Sequence, residues 1–119
     1  MKSILLSLSL VFAIFSHAQN QVNNLPAGKY ETRIKAEQSK WEAGDIILLN
    51  ETKYKVSAGN ETGDYRFSVA AQRIFFTSGP LKGAYAATAL NNNIPAIVFP
   101  VNENQPFKLM SEVWGYYKQ

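Results

Sequence analysis

The chain has 119 residues, of which 46% are hydrophobic and 13% aromatic, and twelve Lys and Arg against nine Asp and Glu give a net charge of +3. It holds no cysteine and one histidine, His17. That excludes a disulfide framework and leaves no ligand set for a zinc or copper centre.

Residues 1–18 read MKSILLSLSLVFAIFSHA. Lys2 is a charged start, Ile4 to Phe15 an apolar core, and Ser16-His17-Ala18 a small-x-small cleavage signal. This is the pattern of a secretory signal peptide, with cleavage expected between Ala18 and Gln19. The apolar run is about a dozen residues, short of the roughly 20 that span a bilayer. The expected product is secreted or periplasmic. It has no cysteine for a lipid anchor and no further apolar stretch long enough to cross a membrane. His17 leaves with the signal, so a histidine-assisted nucleophile is excluded from the mature chain. Eleven basic residues then face nine acidic ones. A chain of about 100 residues makes one domain and buries roughly 60–65% of its unfolded surface, and here strands and aromatics must supply that core.

Residues 19–27, QNQVNNLPA, read as a flexible mature N-terminus ahead of a single domain over 28–119. From Gly28 the period is two, as in half-buried strands whose successive side chains alternate faces. KYETRI sets Tyr30, Thr32 and Ile34 against Lys29, Glu31 and Arg33. KAEQSKWEA (35–43) reads as a loop or one short helix. DIILL (45–49) is a short apolar run, and KYKV (53–56) turns Tyr54 and Val56 inward. DYRFSV (64–69), RIFFT (73–77), AYAATAL (84–90), IVF (97–99) and EVWGYY (112–117) follow, with Trp114, which alternates with Tyr116, expected in the core. LNETK, SAGNETG, AAQ, SGPLKG, NNNIP and NENQP are the connections, and Pro95, Pro100 and Pro106 are expected at strand ends or edges. Turns every 8–12 residues predict an all-β fold. The expectation is about eight short antiparallel strands in an up-and-down meander forming a small barrel, with a two-sheet sandwich as the alternative.

Gly-x-Tyr recurs at Gly28–Tyr30, Gly63–Tyr65, Gly83–Tyr85 and Gly115–Tyr117. Glycine permits a bend or bulge and a neighbouring aromatic covers the gap, which fits corners in a curved sheet better than tyrosines lining a pocket. RIFFTSGPLKGAY (73–85) reads as a corner too. Pro80 presets the turn, and no histidine is at hand to activate Ser78. Gly63, Tyr65, Ile74, Phe76, Ser78, Gly79, Pro80, Leu81 and Gly83 form a G-x-Y…I-x-F-x-S-G-P-L-x-G signature. In this the chain resembles small secreted or periplasmic bacterial β-domains of unassigned function, over about residues 60–85. The resemblance implies location and fold, and no activity.

NETGD (60–64) lacks the spacing of a calcium loop, so no metal or cofactor is implied. The two Asn-Glu-Thr triplets at 50–52 and 60–62 fit a glycosylation acceptor, but Asn and Thr are ordinary turn residues. The positive charges are spread along strands among acids, which argues against nucleic acid as a partner. Trp41, Tyr65 and Tyr85 are the candidate binding residues, because an aromatic beside polar groups stacks on a sugar or anchors a partner. The leading expectation is a monomeric, non-catalytic exported domain that binds a small molecule, a glycan or a protein. An envelope structural protein or inhibitor acting on another protein is the second reading. A glycan hydrolase using carboxylates alone is the third.

Overall fold

The computed structural model describes residues 21–34, 41–101, 109 and 111–119. The expected signal and its cleavage site, residues 35–40 of the helix-or-loop segment, and Pro106 lie outside the described residues. Eight strands follow in chain order: β1 (Gly28–Ile34), β2 (Ile46–Leu48), β3 (Lys53–Val56), β4 (Thr62–Ser68), β5 (Arg73–Phe76), β6 (Tyr85–Asn91), β7 (Ile94–Phe99) and β8 (Val113–Tyr117). Each pairs antiparallel with the next, and β8 returns to β1 to close a barrel. The closing ladder runs from Tyr30 opposite Tyr117 to Ile34 opposite Val113. Closure selects the barrel over the sandwich and leaves no open sheet edge.

Most strands lie where the alternation predicts them. β7 differs most, starting three residues earlier than expected. Asn91 faces Ile94, so the connection is only Asn92-Asn93, with φ of 52° and 65°. Two consecutive left-handed residues make the turn whose twist matches that of the flanking strands, and asparagine tolerates it. Pro95 sits at the start of β7, opposite Leu90, before the pairing with β8 begins at Ala96. No hydrogen bond to β8 is lost there.

The interior is packed with the chain's own side chains. Tyr30, Tyr54, Phe76, Phe99, Ile46, Leu48, Ile74 and Ile97 are all 2% exposed or less. Tyr54 meets Phe76 edge-on at 4.8 Å, and Phe76 stacks on Phe99 at 5.8 Å. An eight-stranded barrel is narrow enough to be filled this way.

Both ends are stoppered. At the end where β1 begins, Val22 and Leu25 are buried in the core cluster. The Gln72 amide clasps Val22 from both sides: its Oε1 accepts from the Val22 N–H at 2.9 Å and its Nε2 donates to the Val22 carbonyl at 2.8 Å. Residues 22–27, expected to be a flexible lead-in, thus form a plug. At the opposite end Leu81, Ala84 and Leu109 are buried, and Trp41 lies against Phe99 at 4.8 Å.

One core assignment is corrected. Trp114 and Tyr116 lie on the outer face of β8, stacked on each other at 5.8 Å. Val113, Gly115 and Tyr117 face inward. Gly115 packs beside Tyr30 and Thr32, where a Cβ would make ordinary contacts at 3.4 and 3.6 Å.

Candidate functional site

The signature residues interlock at one corner of the barrel. Gly63 in β4 lies opposite Tyr54 in β3 and against Ser78 and Gly79 in the loop after β5. Gly79 has a φ of 84° and Gly83 of 88°, and the turn closes with Lys82 N–H to Gly79 O at 3.1 Å and Gly83 N–H to Phe76 O at 2.9 Å. The Ser78 hydroxyl accepts from the Asp64 N–H at 2.9 Å and donates to the Asp64 carboxylate at 3.0 Å. Lys53 and this hydroxyl hold the Asp64 carboxyl below its ordinary pKa. The hydroxyl is engaged on both sides by its own sheet, and the stretch is a corner, as its turn chemistry predicts.

Tyr54 is the pin of that corner. Its hydroxyl donates to the Ser78 carbonyl at 2.7 Å and accepts from the Leu81 N–H at 2.8 Å. Burial pushes its pKa up to about 12, against an opposing contribution from the Leu81 N–H. Tyr54→Phe should cost about 2–4 kcal/mol, because two buried backbone groups lose their partner at about 1–3 kcal/mol each. The folded pKa is raised above the unfolded value near 10. The stabilisation is therefore complete below pH 10 and is lost as pH rises through about 12. Urea melts at pH 8, 10 and 11 should show the gap between wild type and Tyr54→Phe narrowing from pH 10 upward. A gap that stays constant would contradict this arrangement.

The three candidate residues from the sequence do not converge. Trp41 is half-buried over the barrel end, its indole N–H donating to the Gly44 carbonyl at 2.8 Å. Tyr65 is 3% exposed, and its hydroxyl donates to the Asn50 carbonyl at 2.6 Å. Burial raises its pKa as well. Tyr85 lies on the outer face of β6, opposite Phe75. The Gly-x-Tyr tyrosines line no common cavity. Tyr30 and Tyr65 fill the interior, and Tyr30 and Tyr117 direct their hydroxyls to the carbonyls of Pro26 and Ala27 in the plug. Tyr117 also covers Gly28, so here the aromatic covering a glycine comes from the neighbouring strand.

Beside the plug runs an open groove of about 640 Å³ between residues 24–27 and the β2–β3 turn. Its inward polar groups are already used. Pro26 O takes Tyr30, Asn50 O takes Tyr65, and Asn50 Oδ1 accepts from the N–H groups of Thr52 and Lys53.

The outer face of β5 to β8 has a different character. One register row crosses it from Arg73 through Ala87, Val98 and Trp114 to Arg33 on β1. A second runs from Ala89 through Ala96 to Tyr116 and Glu31. Between Phe75 and Tyr85 on one flank and Trp114 and Tyr116 on the other, Ala87 is exposed, whereas the outward side chains of β7 are covered, Ala96 being 0% and Val98 6% exposed. Phe75 is 39% exposed. The Arg73 guanidinium lies over the Tyr85 ring at 5.6 Å and that of Arg33 over Tyr116 at 5.7 Å, both within cation–π range. Among the described residues, Lys29, Lys53 and Lys118 pair with Asp45, Asp64 and Glu31, and no carboxylate pairs with Arg33, Arg66 or Arg73. Of this surface the sequence reading singles out Tyr85 alone. The alternation in β8 is apolar at both parities, so it does not tell which parity faces out. The glycine between the two outward rings was the available signal, because the bare position belongs inside.

No protein-family model matches the chain, and comparison with curated proteins and with solved structures gives no match in either set.

Proposed function

We propose that the protein is an exported, non-catalytic binding domain that recognises a protein partner through the outer surface of its barrel. The observation that carries this reading is the filled interior: Tyr54, Phe76 and Phe99 occupy the lumen, Val22 stoppers one end, and Leu81 closes the other. A small ligand needs a concave site that buries most of its surface, and the packed lumen leaves none inside the barrel. The closed ladder has no open edge to accept an added strand. Recognition is thereby left to outward side chains, and the aromatic and arginine content of the β5–β8 face matches the composition that concentrates binding energy at protein interfaces. The N-terminal signal pattern supports export.

Native mass spectrometry of the protein recovered from its own envelope or medium tests the proposal. The expected spectrum shows a chain beginning at Gln19, in complex with a second protein and without a bound small molecule. A stoichiometric small ligand on the chain, or Met1 retained on the exported protein, would sink it.

A further inference from the structure

We infer that the cleft at the start of β7 takes the C-terminal carboxylate of that protein partner, with Arg33 pairing with it; this rests on the surface-recognition reading above. The cleft, of about 340 Å³, is lined by Arg33, Asn91, Ile94, Pro95, Tyr116 and Tyr117. That size falls within the range of ligand pockets, about 300–1,000 Å³. It opens beside the first two residues of β7, Ile94 and Pro95, which are half-buried, and not over the covered middle of that strand. Strands β1, β6, β7 and β8 supply all six residues, so the cleft stands on the rigid sheet.

Charge complementarity names the occupant. Arg33 is exposed and pairs with no carboxylate among the described residues, while Glu31, on the same outer row of β1, is taken by Lys118 at 3.0 Å. The Arg33 guanidinium lies over the Tyr116 ring at 5.7 Å. That stacking steadies it and leaves its N–H edge for bidentate contact with one carboxylate. Ile94 and Pro95 add an apolar wall, and Asn91 a carboxamide that can pair with a peptide group. A chain end carries its carboxylate and its side chain on one Cα, so an apolar C-terminal residue uses the arginine and the wall together. An internal Asp or Glu spends its side chain on the arginine and leaves nothing of that residue for the wall. From β1 to β6 the cleft crosses three strand spacings, about 14 Å at about 4.8 Å per strand. A lone small anion leaves most of that length empty, whereas about four extended residues cover it at about 3.3 Å each. A sugar or a nucleobase wants an open aromatic face, and Tyr116 is flanked by Trp114 and Arg33.

The probe is an acetylated tripeptide of two valines and a leucine with a free terminal carboxylate, titrated at low salt into the isotope-labelled whole protein and followed by NMR. Amide signals of Ile94, Tyr116 and Tyr117 should shift and saturate. The same peptide with its carboxylate amidated should bind about tenfold more weakly, as expected when a charged hydrogen-bonded pair is lost. Arg33→Gln should cause a loss of about the same size. Arg66→Gln removes an equal charge from the outer face of β4 and should change binding less than about twofold. Asn91→Glu, at an exposed position, sets a carboxylate in the cleft and should also weaken binding about tenfold without touching Arg33. The spectrum of each variant reports that it is folded. No saturable binding by wild type, shifts that map outside the cleft, or equal losses in the two arginine variants would overturn the inference. So would tighter binding of an amidated peptide whose one carboxylate is an internal glutamate, or inorganic phosphate bound as tightly as the free acid.

Photo-crosslinkers placed at Asn91 and at Lys55 in the native host separate this inference from the broader reading. A partner trapped from Asn91 through its C-terminal residues supports both. A partner trapped from Lys55 alone, or from Asn91 through an internal segment, refutes the chain-end site and keeps surface recognition. No partner from either position refutes surface recognition itself.

Discussion

Gly63→Ala is expected to destabilise the barrel by about 3 kcal/mol or more, the upper range for forcing atoms into a packed site. The added Cβ would stand 2.8 Å from the Gly79 Cα and 2.6 Å from a Tyr54 ring carbon, and closer still to the Ser78 carbonyl oxygen. Two of these neighbours are backbone, and the Tyr54 ring is held by hydrogen bonds at its hydroxyl, so none yields cheaply. Gly59→Ala is the matched control. Its Cβ would meet nothing within 4 Å, and its cost should stay within about 0.5 kcal/mol. Ser78→Ala should fall between, at about 0.5–1.5 kcal/mol, the net worth of a typical hydrogen bond. Urea melts on the three variants give the order directly. A Gly63→Ala protein as stable as Gly59→Ala would mean that strand and loop do not approach as closely as described.

Phe99→Ala should cost about 3–5 kcal/mol, the range for deleting a buried aromatic ring. Phe99 is fully buried, stacked on Phe76 and faced by Trp41, so the hole opens where two other rings meet and cannot all refill it. The vacated space is apolar, and such cavities stay dry and take small hydrocarbons. Benzene should therefore raise the melting temperature of Phe99→Ala and leave wild type unchanged. This checks the filled interior independently of any partner. Wild-type protein stabilised by benzene would show a usable lumen and reopen the small-ligand reading.

These two variants probe features that were unequally legible. The corner could be read locally, because Gly79, Pro80 and Gly83 are turn residues whose backbone preferences act over a few positions. The partner that Gly79 leans against could not. Gly63 lies sixteen positions earlier, and only the pairing of β3, β4 and β5 brings the two together. Gly63 and the Ser78-Gly79 turn are thus the two halves of one tertiary contact.

By itself the sequence determined the strands and most of their limits, since alternation and turn chemistry are local properties. KYKV is β3 to the residue, Tyr30 and Tyr54 face inward as their parity predicts, and Ile74 and Phe76 share one face as expected, with the structure deciding that it is the inner one. Only the tertiary structure decided what depends on distant segments meeting. Closure needs β1 to find β8 at the far end of the chain, and a barrel and a sandwich impose the same alternation. The plug needs Gln72, in a left-handed conformation with φ of 52°, to offer its amide to Val22. In β8 both parities carry bulky apolar side chains, so the choice between them fell to the pairing with β1, which sets Val113, Gly115 and Tyr117 inward. That choice turned Trp114 and Tyr116 outward and set them beside Arg33. A period of two says which residues share a face. Which of two apolar faces is buried is settled by the volume left inside the closed barrel.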